Sequence, residues 1–309
     1  MIEIQQLTKS YHRKVALDHV TMNIPTGQIV GILGPNGAGK TTLIRILNQI
    51  IQPDNGHIRF FGELLKAKHL DQVGYLPEER GLYRTMTIEA HALFLGQLKG
   101  MTKKEVIVQL DYWLQKFEIV SWKNKRIEEL SKGMAQKIQF IFTVIHEPKL
   151  LILDEPLSGF DPINVELIKK ELIALKAKGT TILLSTHNMK SVEEICDFAY
   201  LMDGGKILTS GTVSSLQEAK KEGVYALKFS GNMIAFVNAL WTNFELINKE
   251  ILGDNRFVAY VRMRGEAGFE DLLTALIGQV KLEAAWEVLP SMHDVFIQTI
   301  TSREEVTHA

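Results

Sequence analysis

The chain has 309 residues, 46% of them hydrophobic, which is enough apolar material to bury the core of one large or two ordinary domains. Its 35 lysines and arginines nearly balance its 36 aspartates and glutamates, so the net charge gives no reason to expect nucleic acid or an anionic membrane surface as a partner. No run of about eighteen apolar residues and no apolar export segment is found, and the one cysteine, Cys196, excludes an internal disulfide; the sequence therefore predicts neither a membrane-spanning nor a secreted chain.

The first eighty or so residues alternate strand-like and turn-like segments, among them "MIEIQQL", "VALDHVTMNI", "QIVGIL" and "HIRFFG", with one helix after the third. From Thr87 to about Ile145 three segments place apolar residues three and four positions apart, which predicts helices. Two continuous apolar runs follow, "KLLILDEP" and "GTTILLSTH", and the helical segment between them favours buried parallel strands. A hairpin that turns at Asp203, Gly204 and Gly205 closes this part of the chain.

The last ninety or so residues follow a different pattern. Their apolar segments spell the order β-α-β-β-α-β, which is typical of a ferredoxin-like fold, and one further amphipathic helix, "PSMHDVFIQTI", comes after it. The sequence therefore predicts a large α/β domain over residues 1–217 and a small α+β accessory domain over residues 218–309. The smaller domain shows no cluster of titratable residues that suggests chemistry.

A phosphate-binding loop is indicated by "GPNGAGKT", residues 34–41, which fits the pattern G-x-x-x-x-G-K-[ST] between a predicted strand and a predicted helix. Glycines let several backbone N–H groups approach the phosphates, Lys40 adds a positive charge, and the Thr41 hydroxyl is a ligand for Mg²⁺. The predicted nucleotide-binding residues of this loop are Gly34, Pro35, Asn36, Gly37, Ala38, Gly39, Lys40, Thr41 and Thr42.

Two carboxylates end the apolar run "LLILDEP", at the edge where the carboxyl ends of parallel strands meet a ligand. Asp154 is predicted to hold Mg²⁺ through water, and Glu155 is predicted to orient or deprotonate an attacking water. Together with the phosphate loop, this pair indicates hydrolysis of a nucleoside triphosphate.

A second anion site is suggested by "EELSKGMAQK", where Ser131 and the small residue Gly133 lie at the start of a predicted helix. Such an end offers a hydroxyl and free N–H groups to an anion, although a plain serine N-cap remains an alternative. The chain already holds a phosphate loop about ninety residues earlier, so this second cradle needs a ligand from elsewhere.

Six motifs in a fixed order make residues 1 to about 215 resemble the nucleotide-binding subunit of an ABC transporter. Besides the phosphate loop and the carboxylate pair, they are Tyr11 ahead of the loop, "LSKGM" with Ser131, "SGFD" ending in Asp161, and "STH" ending in His187. The segment "VGYLPEERGLY", which contains Glu78, also matches a segment of the family. The resemblance implies a P-loop NTPase fold: a RecA-like core (1–77 and 147–217) with an N-terminal antiparallel β-subdomain and an inserted helical subdomain (78–146).

The resemblance also implies roles for the residues outside the loop. The signature of one subunit closes over the ATP of the other, so Ser131, Gly133 and Met134 would contact the partner's nucleotide. His187 would act in catalysis at the γ-phosphate or the attacking water, beside Glu155.

Further nucleotide contacts are implied for the rim of the site. Tyr11 would stack on adenine with Val15 nearby, and Asp161 would lie at the nucleotide. The sequence departs from the family pattern at Lys132, at Met134 and at Glu78, where a glutamine is usual. We expect Glu78 to contact Mg²⁺ or the attacking water, which makes the predicted metal ligands Thr41, Glu78 and Asp154.

By resemblance the chain is an ATPase that uses ATP and Mg²⁺, pairs with a second ATPase subunit and drives a separate integral-membrane permease from the cytoplasmic face of the cell membrane. The predicted C-terminal domain resembles those of bacterial ATPases for sodium, drug or antibiotic export, so export is expected. Tyr83 and Met86 resemble the surface that receives a permease, and a core role for them stays open.

The alternative is a soluble ABC ATPase of a non-transport machine that acts on nucleic acid or on the ribosome. Repair-type members insert long coiled coils between loop and signature, whereas only about ninety residues intervene here without sustained heptads. Ribosome-associated members carry two nucleotide domains, and small-molecule kinases have no use for a signature. The sequence therefore predicts transport, with no nucleic-acid partner.

Overall fold

The structure is a computed structural model and describes residues 2–12, 14–79, 81–240, 243–265 and 267–308, with side chains as far as residue 302. The chain folds into two compact units, Met1–Val213 and Ser214–Ala309. Within the described residues, no helix combines the length and the apolarity that crossing a bilayer requires.

The first unit alternates strands and helices. In chain order its elements are β1 (Ile2–Tyr11), β2 (Lys14–Ile24), β3 (Ile29–Leu33), α1 (Lys40–Leu47), β4 (Asn55–Phe60), β5 (Glu63–Leu64), β6 (Val73–Leu76), α2 (Ile88–Leu98), α3 (Lys103–Lys116), α4 (Lys132–Val144), β7 (Leu150–Asp154), α5 (Pro162–Ala177), β8 (Thr181–Thr186), α6 (Met189–Ile195), β9 (Phe198–Asp203) and β10 (Lys206–Thr212). A short helix, α7 (Val213–Glu218), follows. The predicted α/β class is confirmed.

Two sheets organise this unit. The antiparallel sheet has the order β2-β1-β4-β5, and the second sheet has the order β10-β9-β3-β8-β7-β6. In the second sheet every neighbouring pair is parallel except β9 with β10. All residues of β3, β7 and β8 are buried, as expected for central parallel strands covered on both faces. Their carboxyl ends meet at one edge, where Asp154 pairs with Ser185.

One hydrophobic core joins the two sheets and α1. It contains Leu17 of β2, Val30 of β3, Ile44 and Leu47 of α1, and Ile152 of β7, all of them buried. Because α1 contributes a whole apolar stripe to this core, its first turn is held at a fixed place beside the carboxyl end of β3. The loop between β3 and α1 is thereby anchored at both ends.

The helices α2, α3 and α4 lie between β6 and β7 in sequence. Thr87 and Thr102 cap α2 and α3 by accepting the N–H groups of Ala90 and Glu105, and such caps contribute about 1 kcal/mol each. Glu105 closes a capping box on α3 by accepting the Thr102 N–H at 2.7 Å. The three helical segments predicted from the apolar spacing are therefore present, and their starts are set by local hydrogen bonds.

The second unit contains a four-stranded antiparallel sheet. Its elements are β11 (Val224–Ser230), α8 (Met233–Ala239), β12 (Phe244–Gly253), β13 (Arg256–Met263), α9 (Phe269–Leu276), β14 (Lys281–Val288) and α10 (Met292–His308). The strand order is β12-β13-β11-β14, and every neighbouring pair is antiparallel. This order of strands and helices is that of a ferredoxin-like fold. Two buried side chains, Phe236 of α8 and Leu272 of α9, pack with Phe229 and Val261 on one face of the sheet.

Candidate functional site

The carboxyl ends of the central parallel strands surround a cavity of about 330 Å³ in the first unit. Its lining combines the loop before α1 with side chains from the ends of β1, β7 and β8. The lining residues are Tyr11, Lys14, Ala16, Asn36, Gly37, Ala38, Gly39, Lys40, Thr41, Thr42, Glu78, Asp154, Glu155, Ser158 and His187. Most residues of the predicted nucleotide site are therefore gathered around one space.

The loop itself needs glycine for steric reasons. Gly39 has φ 107°, and a Cβ there would lie 2.5 Å from the Ala16 carbonyl oxygen. A Cβ on Gly34 would lie 2.2 Å from the Met202 carbonyl oxygen. In the described part of the chain no side chain caps α1 at Gly39, and the first-turn residues Lys40, Thr41 and Thr42 line the cavity, so the N–H groups that a helix start leaves without intrahelical partners lie beside it. These groups and the helix dipole form a site suited to an anion.

Lys40 is buried and folded back onto the loop. Its Nζ donates to the Gly34 carbonyl at 2.7 Å and to the Pro35 carbonyl at 3.1 Å, which places these two predicted residues behind the lining rather than in it. Burial lowers the pKa of Lys40, and the charges of Glu155, Asp154 and Glu78 oppose that effect. An anion in the cavity would stabilise the charged amine further.

Asp154 is only 2% exposed at the end of β7, and its Oδ1 accepts a hydrogen bond from the Ser185 hydroxyl of the neighbouring strand. The parallel pairing of β7 with β8 fixes this contact, since Asp154 and Ser185 are register partners. A hydrogen-bonded carboxylate of this kind is held in one orientation, and Asp154 lines the cavity at the strand end.

Glu155 and His187 come from the ends of adjacent strands and touch directly. His187 Nδ1 lies 2.8 Å from Glu155 Oε1, and the Thr186 hydroxyl donates to Glu155 Oε2 at 3.2 Å. The Glu155 backbone has φ 50°, a left-handed conformation that is costly for a non-glycine residue, and its N–H donates to the Ser185 carbonyl. The two predicted catalytic side chains therefore form one positioned pair.

The three predicted metal ligands, Thr41, Glu78 and Asp154, all line the cavity. They offer one hydroxyl and two carboxylates, the hard oxygen donors that Mg²⁺ prefers. Within the described residues, no group of three or more His, Cys, Asp or Glu side chains is placed to hold a metal ion alone. This donor set fits Mg²⁺, which keeps water and substrate phosphate among its ligands rather than taking a complete protein cage.

At the rim the structure brings Tyr11 to the cavity but not Val15. Alternation along β2 explains the difference, because Lys14 and Ala16 face the cavity while Val15 between them is exposed on the other side. Ala16 therefore lines the cavity where Val15 does not, and the contact of Val15 with adenine stays a prediction. Tyr11 pairs with Lys14 across the β1–β2 hairpin.

The predicted signature residues lie elsewhere. Ser131 is the exposed N-cap of α4 and accepts the Met134 N–H at 3.4 Å. Gly133 faces open space, since a Cβ built on it would meet nothing within 4 Å. Ser131, Gly133 and Met134 are all absent from the cavity lining, and so is Asp161, whose carboxylate caps α5 by accepting the Asn164 N–H at 3.0 Å.

Sequence reasoning missed three lining residues, Lys14, Ala16 and Ser158. The strand alternation that places Lys14 and Ala16 beside Tyr11 was available as a signal, since all three lie on one hairpin. Ser158 is the first residue of the "SGFD" motif, but only Asp161 of that motif was predicted at the nucleotide; the turn after β7, where the Ser158 N–H donates to the Glu155 carbonyl at 3.1 Å, places Ser158 in the lining instead.

Comparisons with known proteins agree with this geometry. A family model described as "ABC transporter" matches residues 17–158. The chain is 43% identical over 219 residues to YhaQ, an uncharacterized ABC transporter ATP-binding protein of Bacillus subtilis strain 168, covering 71% of this chain and 74% of YhaQ. It is 30% identical over 314 residues to the Nod factor export ATP-binding protein I of Rhizobium sp. strain N33, covering 98% of this chain and 97% of that protein. A solved ATP binding subunit of an ABC transporter matches with a TM-score of 0.67 at 30% identity, covering 71% of this chain and 92% of that one.

Proposed function

The chain belongs to the ABC transporter family as an ATP-binding, ATP-hydrolysing subunit, and from this membership we propose that two copies close around two ATP molecules to drive a separate membrane permease. One observation carries the proposal. The cavity gathers the phosphate loop and the catalytic pair, whereas Ser131 and Gly133 at the exposed end of α4 do not line that cavity. In a dimer, the ATP bound by the second copy would supply the anion for this helix end.

ATP would enter with its base toward Tyr11 and its phosphates over the loop. Tyr11 is 42% exposed and offers a ring for stacking, while the free N–H groups of α1 face the phosphates. Lys14 lies between these two subsites, because a Cβ on Gly37 would be 3.9 Å from its Nζ. Lys40 would exchange its carbonyl partners for phosphate oxygens, which are stronger acceptors for an ammonium group.

Thr41, Asp154 and Glu78 would hold Mg²⁺ together with phosphate oxygens and water. When bound, the ion supplies positive charge that neutralises the β- and γ-phosphates. The Ser185 hydroxyl keeps Asp154 in the orientation that this requires.

Glu155 and His187 would carry out hydrolysis. Glu155 accepts the Thr186 hydroxyl through one oxygen and contacts His187 through the other, so its carboxylate is fixed where an attacking water can be oriented. His187 would contact the γ-phosphate or the same water and keep the carboxylate in place. The backbone strain at Glu155 is offset by these contacts, which is typical of positions under functional constraint.

The exposed start of α4 would bind the γ-phosphate on the partner's loop. Ser131 and Gly133 are accessible there, and the N–H groups of a 13-residue helix favour a negative charge. Gln136 in the first turns of α4 donates to the Ser158 carbonyl at 2.6 Å. This bond ties the signature helix to a turn that lines its own chain's nucleotide cavity, so the two ATP sites of a dimer would be mechanically linked.

The closing and opening of the ATPase dimer would drive a membrane permease, to which the ATPase binds at the cytoplasmic face of the membrane. One relative that is similar over almost the whole chain is an export ATP-binding protein, which supports export. An exposed aromatic and aliphatic patch formed by Tyr83, Phe94 and Leu98 supports a docking surface on the helical segment. Tyr83 packs edge-on against Phe94, with ring centroids 5.6 Å apart.

The direct test uses Glu155→Gln, which should bind ATP without splitting it. Light scattering should show an ATP-dependent dimer of this variant and no such shift with ADP. Adding Ser131→Arg should abolish the ATP-dependent increase in mass. Each chain should still bind ATP on its own phosphate loop, because the substitution blocks only the contact between α4 and the partner's nucleotide. A Glu155→Gln variant that gains no mass with ATP, or that still dimerises with Arg at position 131, would contradict the proposal.

A further inference from the structure

We propose that the second unit contains a binding site for an amphiphilic organic cation, that is, a protonated amine on an apolar body. The site is a cleft of about 760 Å³, within the range of small-molecule sites. It lies wholly inside the unit Ser214–Ala309. It shares no residue with the nucleotide cavity.

The cleft is built on the sheet face opposite to the core. Leu227 and Val261 point to the core side with the helices α8 and α9. Alternation turns Val224, Tyr260 and Arg262 to the other face, where they line the cleft together with residues from the start of α10. The cleft is therefore a space between one sheet face and the first turns of one helix.

One part of the lining is apolar and partly open to water. Ile247, Leu289 and Ile297 are 44%, 37% and 48% exposed, and Val288 and Pro290 lie beside them. Covering such aliphatic side chains with an apolar ligand is favourable, because the surface removed from water is the main driving force for binding. This part of the cleft would take the apolar body.

The other part of the lining carries excess negative charge. The lining holds three carboxylates, those of Glu222, Glu250 and Asp294, and one guanidinium, that of Arg262, so the carboxylates exceed the guanidinium by two negative charges. Arg262 Nη2 lies 2.6 Å from Glu222, which accounts for the one cation. The Asp294 carboxylate is already engaged by Ser291, since it accepts hydrogen bonds from the Ser291 N–H and the Ser291 hydroxyl.

Glu250 is the carboxylate that is left for a ligand. It accepts the Tyr260 hydroxyl at 2.7 Å, and no ion pair to it occurs within the part of the chain that the structure describes. The phenol bond engages one carboxylate oxygen of Glu250, and the residue lines the cleft, so the second oxygen is available to a ligand. An ammonium group there would gain a charge-assisted hydrogen bond and a neighbouring aromatic ring, while its apolar body covers the isoleucines.

A matched pair of probes tests the proposal on the full chain at pH 7. By isothermal titration calorimetry, 4-phenylbutylamine should bind at least tenfold more tightly than 4-phenylbutan-1-ol, which lacks the charge. Glu250→Gln should weaken amine binding about tenfold and leave the alcohol unchanged, because an amide still accepts the Tyr260 hydroxyl. Glu270→Gln, an exposed carboxylate outside the cleft, is the control and should change neither affinity.

Ile297→Ser should weaken both probes, since it acts on the apolar part. ATPase activity and the thermal unfolding temperature report whether each variant is folded, and neither should change. The proposal is overturned if amine and alcohol bind equally, if Glu250→Gln leaves the amine affinity intact, or if neither probe binds.

Discussion

Glu155 and His187 illustrate how single residues acquire a joint role in this chain. They lie 32 positions apart, yet the parallel pairing of β7 with β8 places their side chains 2.8 Å from each other. Neither residue would be assigned a catalytic role from its own environment alone. Their contact with each other, beside a glycine loop with free N–H groups, is what supports hydrolysis.

Glu78, which stands where the family usually has glutamine, leads to a prediction about Mg²⁺. If its carboxylate helps to hold the ion, Glu78→Gln will raise the Mg²⁺ concentration needed for half-maximal ATPase activity several-fold, because one anionic ligand is lost. Steady-state ATPase assays across a Mg²⁺ titration measure this shift.

The neighbouring carboxylate provides the control for that experiment. Glu79 is exposed and does not line the cavity, so Glu79→Gln should leave the Mg²⁺ dependence as it is. An unchanged Mg²⁺ dependence in Glu78→Gln would show that the carboxylate of Glu78 is not a ligand.

Lys14 gives a second prediction at the level of one side chain. It lines the nucleotide cavity and has no carboxylate partner within the described residues, so its charge is available for the phosphates. Lys14→Gln should raise the KM for ATP up to about fivefold, since an exposed charge contact contributes up to about 1 kcal/mol. The kcat should stay unchanged, because the catalytic pair is untouched.

Binding of adenosine separates this role from a structural one. Adenosine lacks phosphates, so its affinity should not respond to Lys14→Gln, whereas the affinities for ADP and ATP should fall. Lys68→Gln, which removes an exposed lysine paired with Glu63 outside the cavity, should have no effect. Equal losses for adenosine and ATP would place Lys14 outside the phosphate subsite.

At the level of elements, the sequence predicted most of the fold. Apolar spacing of three and four predicted α2, α3 and α4, and continuous apolar runs predicted β7 and β8 as buried parallel strands, which is confirmed. The phosphate loop was predicted from its glycines between a strand and a helix. These features are local, so the residues that specify them stand next to one another in the chain.

What could not be predicted depends on which face of a strand meets which neighbour. Val15 was expected at the base, whereas β2 turns Lys14 and Ala16 to the cavity instead. The cleft of the second unit is formed by residues from several strands and α10, and no local motif marks it. Contacts between distant segments set both features, and sequence spacing does not report them.

The junction between α4 and β6 carries a prediction about pH. His146, just after α4, has Nε2 3.1 Å from the Val73 carbonyl, while its buried Nδ1 has no hydrogen-bond partner among the residues that the structure describes. Burial, together with the nearby positive charge of Lys99, lowers the pKa of His146 to about 4. Protonation would require a second N–H with no acceptor.

The direction of the pH effect on stability follows from comparing the protonation of His146 in the folded and unfolded chains. Above pH 6.5 His146 is neutral in both, so its contribution to stability is complete. Between pH 6.5 and 4 only the unfolded chain takes up the proton, so the free energy of unfolding should fall as the pH falls. Urea denaturation across this range should show a shallower slope in His146→Gln than in the natural chain.

An exposed histidine supplies the comparison for this slope. His57→Gln should keep the full pH dependence between pH 4 and 6.5, since His57 lies at the surface of β4. If the stability of His146→Gln falls with decreasing pH as steeply as that of the natural chain, the buried imidazole does not control the pH dependence of stability in this range.

On the scale of the whole molecule, the proposed ATPase cycle needs two copies, because each chain holds the two halves of a nucleotide site at separate places. The cavity with its loop forms one half, and the exposed start of α4 forms the other. A two-fold symmetric dimer completes both nucleotide sites at once, since each surface meets its complement on the other copy. Hydrolysis would remove the phosphate that joins them, and the pair would open.

The chain is well suited to a cross-linking test of this arrangement. Its one cysteine, Cys196, is buried, and burial raises the pKa of its thiol to about 12, so it does not compete with introduced cysteines.

The most direct measurement mixes two differently tagged Glu155→Gln chains, one with Ser131→Cys and the other with Asn36→Cys, and treats them with a short bis-maleimide. We expect a cross-linked product that carries both tags, formed with ATP and Mg²⁺ and not with ADP. If no such product forms with ATP, or if it forms equally without nucleotide, then the signature of one copy does not close over the nucleotide of the other.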